Sequence, residues 1–144
     1  MEGYTIQIMG KSEQEIHKIE SLRKQAFHLK ASTPDRYASA IKRDKIIPFA
    51  LFKGEELIGG CYVGDNFDSL YIYYLFLNES YQKSGLKLGR RLLTEILAHK
   101  QEIEALLEKP LTCSKLHPNS EPVRKVYEEI GYQNANNGVM IKRI

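Results

Sequence analysis

Residues 75–93, LFLNESYQKSGLKLGRRLL, most constrain what this chain can fold into. A stretch rich in strand formers runs into Tyr81-Gln82-Lys83-Ser84-Gly85-Leu86-Lys87-Leu88-Gly89, and a helical pattern opens almost at once. Leu88, Leu92, Leu93, Ile96 and Leu97 recur at i, i+4, i+5, i+8 and i+9, one stripe of an amphipathic helix. Strand, short glycine-containing loop and helix N-terminus bring backbone N–H groups together beside the positive end of a helix dipole. Lys83, Lys87, Arg90 and Arg91 add positive charge to the same turn. The arrangement suits a pyrophosphate, so a phosphorylated cofactor is the first expectation.

The rest of the chain supplies a sheet for that helix. Tyr4–Met9 alternates and predicts a strand; Ser12-Glu13-Gln14-Glu15 has capping-box spacing ahead of the stripe Ile16, Ile19, Leu22, Ala26 and Phe27. Thr33 and Pro34 predict an N-cap and first helical residue of a short helix running to about Lys42. Ile47–Phe52, Leu57–Val63 and Leu70–Leu77 predict a three-stranded meander, with turns at 53–56 and 65–68 and a bulge or close approach at Gly59-Gly60. Leu111–Leu116 is a further strand. Asn119-Ser120-Glu121-Pro122 starts a last helix that Gly131 ends, and 132–134 with 139–144 close a terminal hairpin. The predicted order is β-α-α-β-β-β-α-β-α-β-β: an α/β (α+β) chain with a mixed, mostly antiparallel sheet and helices on both faces.

With 144 residues, one domain over 1–144 with a real core is expected. A net charge of +3 is too mild for a nucleic-acid binder, for which a steep salt dependence would be the signature. No apolar run approaches the roughly 20 residues that span a bilayer, and the first ten residues are too short and polar for a secretory signal. Cys61 and Cys113 read as free thiols, and a cytoplasmic setting fits. The four histidines lack metal-ligand spacing, so no metal is expected.

These residues resemble the GNAT superfamily of acyl-CoA N-acyltransferases in element order over essentially the whole chain. Two motifs carry the resemblance. Leu75-Phe76-Leu77 stands at the strand end, Tyr81 precedes the loop, and Gln82-Lys83-Ser84-Gly85 opens it; downstream come Asn119 or Ser120, then Tyr127, then Gly131-Tyr132. One departure is Lys87, where the family has a small residue, with Gly89 two positions on as a substitute.

The resemblance implies an N-acetyltransferase that uses acetyl-CoA as co-substrate and passes its acetyl group to a primary amine by direct attack on the thioester. It implies a pyrophosphate at Gln82, Lys83, Ser84, Gly85, Leu86 and Lys87, with Asn119 at the downstream motif. The fourth and fifth strands are implied to splay so that backbone near Leu75 and Leu77 pairs with the pantetheine arm. The Leu77 N–H then faces the thioester carbonyl, and Tyr127 protonates the departing thiolate. The bland alternative makes Leu75, Leu77 and Tyr127 core residues. A non-catalytic acyl-CoA-binding regulatory module of the same fold is the second functional reading, kept by Lys87. Neither cysteine has a nucleophile's local context. Glu79, Tyr73, Tyr74 and His117 lie near the inferred cleft, and the general base is unassigned among them. Small-molecule and peptide amines are both open as acceptors, as is a homodimer paired through the terminal strands; nucleic acid and membrane are not expected partners.

Overall fold

Short turns and β-branched or aromatic runs carry the first half of the chain into a meander, and two amphipathic stretches then wrap back over it. The computed structural model describes residues 3–67 and 69–144, Tyr74 by its backbone alone. In chain order the elements are β1 (Tyr4–Ile8), α1 (Glu13–Ala26), α2 (Ala38–Lys42), β2 (Ile46–Lys53), β3 (Glu56–Asn66), β4 (Ser69–Leu77), α3 (Gly85–Ala98), α4 (Lys100–Leu107), β5 (Cys113–Leu116), α5 (Glu121–Ile130), β6 (Gln133–Asn134) and β7 (Met140–Arg143). Two 3-10 turns, Glu79–Ser84 and Asn136–Gly138, complete the chain. The seven strands form one sheet in the order β1-β2-β3-β4-β5-β7-β6, antiparallel throughout except for the parallel pair β4–β5.

Two apolar layers lie on either side of this sheet. Ile47, Phe49, Val63, Leu70 and Ile72 pack with Leu92, Leu93 and Ile96 of α3 and with Tyr127 of α5. On the opposite face Ala50, Tyr62 and Phe76 pack with Ile16, Ile19 and Leu22 of α1. The capping box forms: Ser12 Oγ accepts the Glu15 N–H at 3.1 Å, and the Glu15 carboxylate reaches back to the Gly10 N–H at 3.0 Å.

Two irregularities shape β4. Leu51 pairs with Gly59 but Phe52 with Leu57, which leaves Ile58 as an extra residue beside the glycine pair. A Cβ on Gly60 would sit 2.8 Å from the Phe76 ring, so the close approach anticipated there is real. Further along, Tyr62 pairs with Tyr74 and Val63 with Ile72, so Tyr73 is the inserted residue. The bulge reverses the alternation of β4: Leu70 and Ile72 face α3 before it, Leu75 and Leu77 after it.

The predicted splay is also present. The β4–β5 ladder covers only Ser69–Tyr71 against Cys113–Lys115, while β4 continues to Leu77. The bulge begins where this pairing ends.

Several local expectations change. The short second helix begins at Ala38, not after Thr33: Lys24 Nζ takes the Ala31 and Thr33 carbonyls and the Asp35 carboxylate, at 3.3, 2.7 and 2.7 Å, and holds that segment as irregular chain. The predicted order has one helix between the fourth and fifth strands, but the structure has two: α3 ends at Ala98 and α4 starts beyond His99, whose Nδ1 lies 2.7 Å from the Glu95 carbonyl. The fifth strand is shorter, beginning at Cys113. The turn expected over 65–68 includes Asp68, which lies outside the described residues, and β3 itself runs on to Asn66. No helix is long and apolar enough to cross a membrane among the described residues.

Candidate active site

The open edge of β4 is the starting point. The Asn78 N–H donates to the Ile58 carbonyl at 2.7 Å, toward β3. Along an extended strand successive N–H groups point to opposite edges, so Phe76 also points to β3. Leu75 and Leu77 therefore turn their N–H and C=O groups to the side from which β5 has diverged. The Leu77 carbonyl is met there by Gln82 Nε2 at 3.4 Å.

A cleft of about 350 Å³ lies along this edge. Its walls come from α3 (Gly85, Leu86, Gly89, Arg90), from the last helix (Val123, Val126, Tyr127) and from the end of α1 (Ala26, Phe27). Of the residues singled out from sequence, Leu75, Leu77, Gln82, Gly85, Leu86, Asn119 and Tyr127 meet here. Lys83, Ser84 and Lys87 stand exposed and do not line it.

The expected loop is a 3-10 turn that runs into α3 without interruption, and Gly85 adopts ordinary helical angles, φ −56° and ψ −41°. Its N–H donates to the Gln82 carbonyl and is not a free donor, because the tight turn recruits it. Glycine matters here for space. A Cβ on Gly85 would meet only Leu77 Cδ1 at 3.7 Å, and one on Gly89 would meet nothing within 4 Å. The two glycines leave a smooth groove on one face of the helix, and Gly89 takes the place that Lys87 does not.

Tyr127 is 7 % exposed, its ring 6.0 Å from that of Tyr132. Its hydroxyl makes no hydrogen bond among the described residues. Burial, with a smaller push from Cys61, raises its pKa to about 12. Ser120 caps the N-terminus of α5, accepting the Val123 N–H at 3.4 Å, while Asn119 beside it faces the cleft. The helix ends at Gly131, whose φ of 115° few other residues adopt.

Sequence reasoning placed Arg90 among the cations of the phosphate turn, and it does line the cleft, but it did not name Val123 or the α1 residues as lining the site. Arg90 follows Leu86 by one turn as Gly89 follows Gly85, and it is ion-paired with Glu129. Ala26 and Phe27 carried no signal, because only folding brings the end of α1 to β4. A Phe27–Phe76 ring contact at 6.5 Å marks that meeting.

The same architecture recurs among solved structures. The aminoglycoside 6'-N-acetyltransferase from Enterococcus faecium superposes with a TM-score of 0.71 at 14% identity, covering 96% of both chains. The ribosomal-protein-S18-alanine N-acetyltransferase from Escherichia coli gives 0.68 at 15% identity, over 98% of this chain and 94% of that one. A GNAT family acetyltransferase from Elizabethkingia anophelis, solved with acetyl-CoA bound, gives 0.66 at 14% identity and 100% of both chains. These likenesses establish the fold. No curated protein matches by sequence. The sequence profile of the acetyltransferase (GNAT) family matches residues 13–132, from the first turn of α1 through the forked strands to Tyr132, and the chain belongs to that family.

Proposed function

We propose that this protein transfers an acetyl group from acetyl-CoA to a primary amine by direct attack on the thioester. The observation that carries the reading is the fork: a β4 edge, Leu75 to Leu77, that no strand pairs, in one cleft with Tyr127. The groove left by Gly85 and Gly89 fits a pyrophosphate laid across the start of α3, where the helix dipole favours negative charge. Arg90 lines the same wall.

Acetyl-CoA would supply the activated acyl group; the chain supplies position and charge. An arm that enters from the α3 end passes Leu77 before Leu75. The Leu77 and Leu75 N–H groups are then the donors open to the pantetheine arm and to the carbonyl oxygen as it gains negative charge. The amine nitrogen bonds to the carbonyl carbon, the carbon–sulfur bond breaks, and the proton lost by nitrogen is in net the proton gained by sulfur. Tyr127 delivers it. At about 12 the phenol is fully protonated at neutral pH, and the burial that weakens it as an acid raises the basicity of a thiolate lodged beside it. The regulatory-module reading leans on Lys87 crowding the phosphate turn, but that side chain is exposed and outside the cleft's lining.

Titration calorimetry with acetyl-CoA and with desulfo-CoA tests the cleft. Binding of both is expected at micromolar concentration, about −8 kcal/mol. Tyr127→Phe should leave that affinity within about twofold while lowering thiol release by roughly a hundredfold, the usual scale of a positioned acid. An unchanged rate would remove Tyr127 from the reaction.

A further inference from the structure

A second cavity, about 720 Å³, opens on the opposite face of the fork. Tyr71 and Tyr73 of β4, Lys115 and His117 of and after β5, and Asn136 and Val139 of the terminal hairpin are among its walls. Alternation accounts for the grouping. Ser114 and Leu116 are buried in the sheet's other layer, so Lys115 and His117 point the opposite way. Tyr73 of this cavity and Leu75 of the first stand two residues apart on β4, so both cavities border the same stretch of that strand.

The lining's charge is one-sided. Among the described residues no carboxylate lines either cavity. Asp65, whose charge acts on Tyr73, is held by Lys109 Nζ at 2.7 Å. Tyr71 and His117 are already joined, hydroxyl to Nδ1 at 2.6 Å, a pair that is neutral or positive. The Lys115 ammonium has no hydrogen bond or ion pair among the described residues, although the residue is only partly exposed. A polycationic acceptor needs carboxylates around it, and it would meet an uncompensated ammonium here. An anion would find a ready partner in Lys115 and hydrogen-bonding groups in Tyr73 and Asn136.

We propose that this cavity is the acceptor site and that the acceptor is a primary amine carrying an anionic group, a carboxylate or a phosphate, which Lys115 anchors while the amine reaches through the fork. The inference rests on the acetyl-transfer reading. Lys115 is a specificity-determining residue in it; it takes no proton.

The test pairs acceptors that differ only in the anion, in a thiol-release assay with acetyl-CoA: protein amino acids against their carboxamides, and glucosamine 6-phosphate against glucosamine, with spermidine as the polycation. At least one acid or phosphate should exceed its uncharged counterpart in kcat/KM by about tenfold or more, the scale of a hydrogen bond to a charged group. Which pair shows the preference separates carboxylate from phosphate. Lys115→Gln should erase the preference through KM, with kcat held, and Lys115→Arg should restore most of it; thermal melting checks that both variants fold. The proposal is overturned if spermidine or the uncharged partners match or outrun the anions. It is equally overturned if no pair shows a preference while calorimetry shows acetyl-CoA bound. Absence of acetyl-CoA binding would instead sink the acetyl-transfer reading, and this inference with it.

Discussion

Glu20 offers the sharpest energetic test of the fold, because its carboxylate is fully buried and saturated with donors. It accepts Arg23 Nε at 2.6 Å and Nη2 at 3.3 Å, the Tyr62 hydroxyl at 2.7 Å and the Tyr37 N–H at 3.0 Å. These contacts tie α1 to the middle of the sheet and to the start of α2. Glu20→Met keeps the volume but strands the Arg23 guanidinium, only 6 % exposed. Removing one partner of a buried pair typically costs about 3–5 kcal/mol. Arg23 also stacks on the Tyr37 ring, 4.9 Å from its centroid, which recovers part of the loss. The lower half of that range is therefore expected, against a total stability of about 5–15 kcal/mol for a typical domain. In Glu20→Met/Arg23→Met the Tyr62 hydroxyl and Tyr37 N–H lose their acceptor as they do in the single variant, at about 1–3 kcal/mol each, but no charge is left buried. The double variant should therefore be more stable than the single by about 1–2 kcal/mol. Urea unfolding at neutral pH with a constant m-value measures both. A single variant within about 1 kcal/mol of the parent, or a double variant less stable than the single, would refute the buried-pair account.

Gly89→Leu should separate stability from binding. With open space where its Cβ would stand, a helix former there should stabilise α3 by about 0.5–1 kcal/mol while weakening acetyl-CoA binding by at least roughly tenfold; a raised melting temperature with undiminished affinity would misplace the phosphate groove. Alkaline pH should destabilise the chain. Tyr127 is held at about 12 against an ordinary value near 10, and burial pushes Tyr132 and Tyr62 up as well. Groups raised on folding contribute their full stability below the unfolded pKa and lose it as pH climbs toward the folded one. Urea midpoints should therefore be flat to about pH 10 and fall above it, by at most about 1.4 kcal/mol per pH unit for each tyrosine. Tyr127→Phe should make that decline shallower, and an unchanged slope would show its phenol to be solvated.

Sequence alone determined the element order apart from the break at His99 that makes α4 a separate helix, the strand-to-helix passage at 77–88, the capping box at Ser12 and the cap–tyrosine–glycine frame of α5. Each is set by local chemistry: a stripe every 3.6 residues, a side chain bonding to a nearby N–H, a glycine free to take positive φ. The site residues near that passage were legible for the same reason, because neighbours in the chain stay neighbours in the fold. Tertiary structure decided the rest. That Gly85 takes ordinary helical angles and that a Cβ there would meet only Leu77 Cδ1 appeared only once α3 was docked against β4. The bulge at Tyr73 reverses which face Leu75 and Leu77 present, and its register depends on β3, not on β4 alone. The joining of Tyr71 to His117, the unpaired Lys115 and the arrival of Phe27 beside Phe76 bring together residues that no spacing links. Their proximity comes from one fact of packing: β5 leaves β4 after three paired residues, and the groups on either face of that opening are then held together by the sheet.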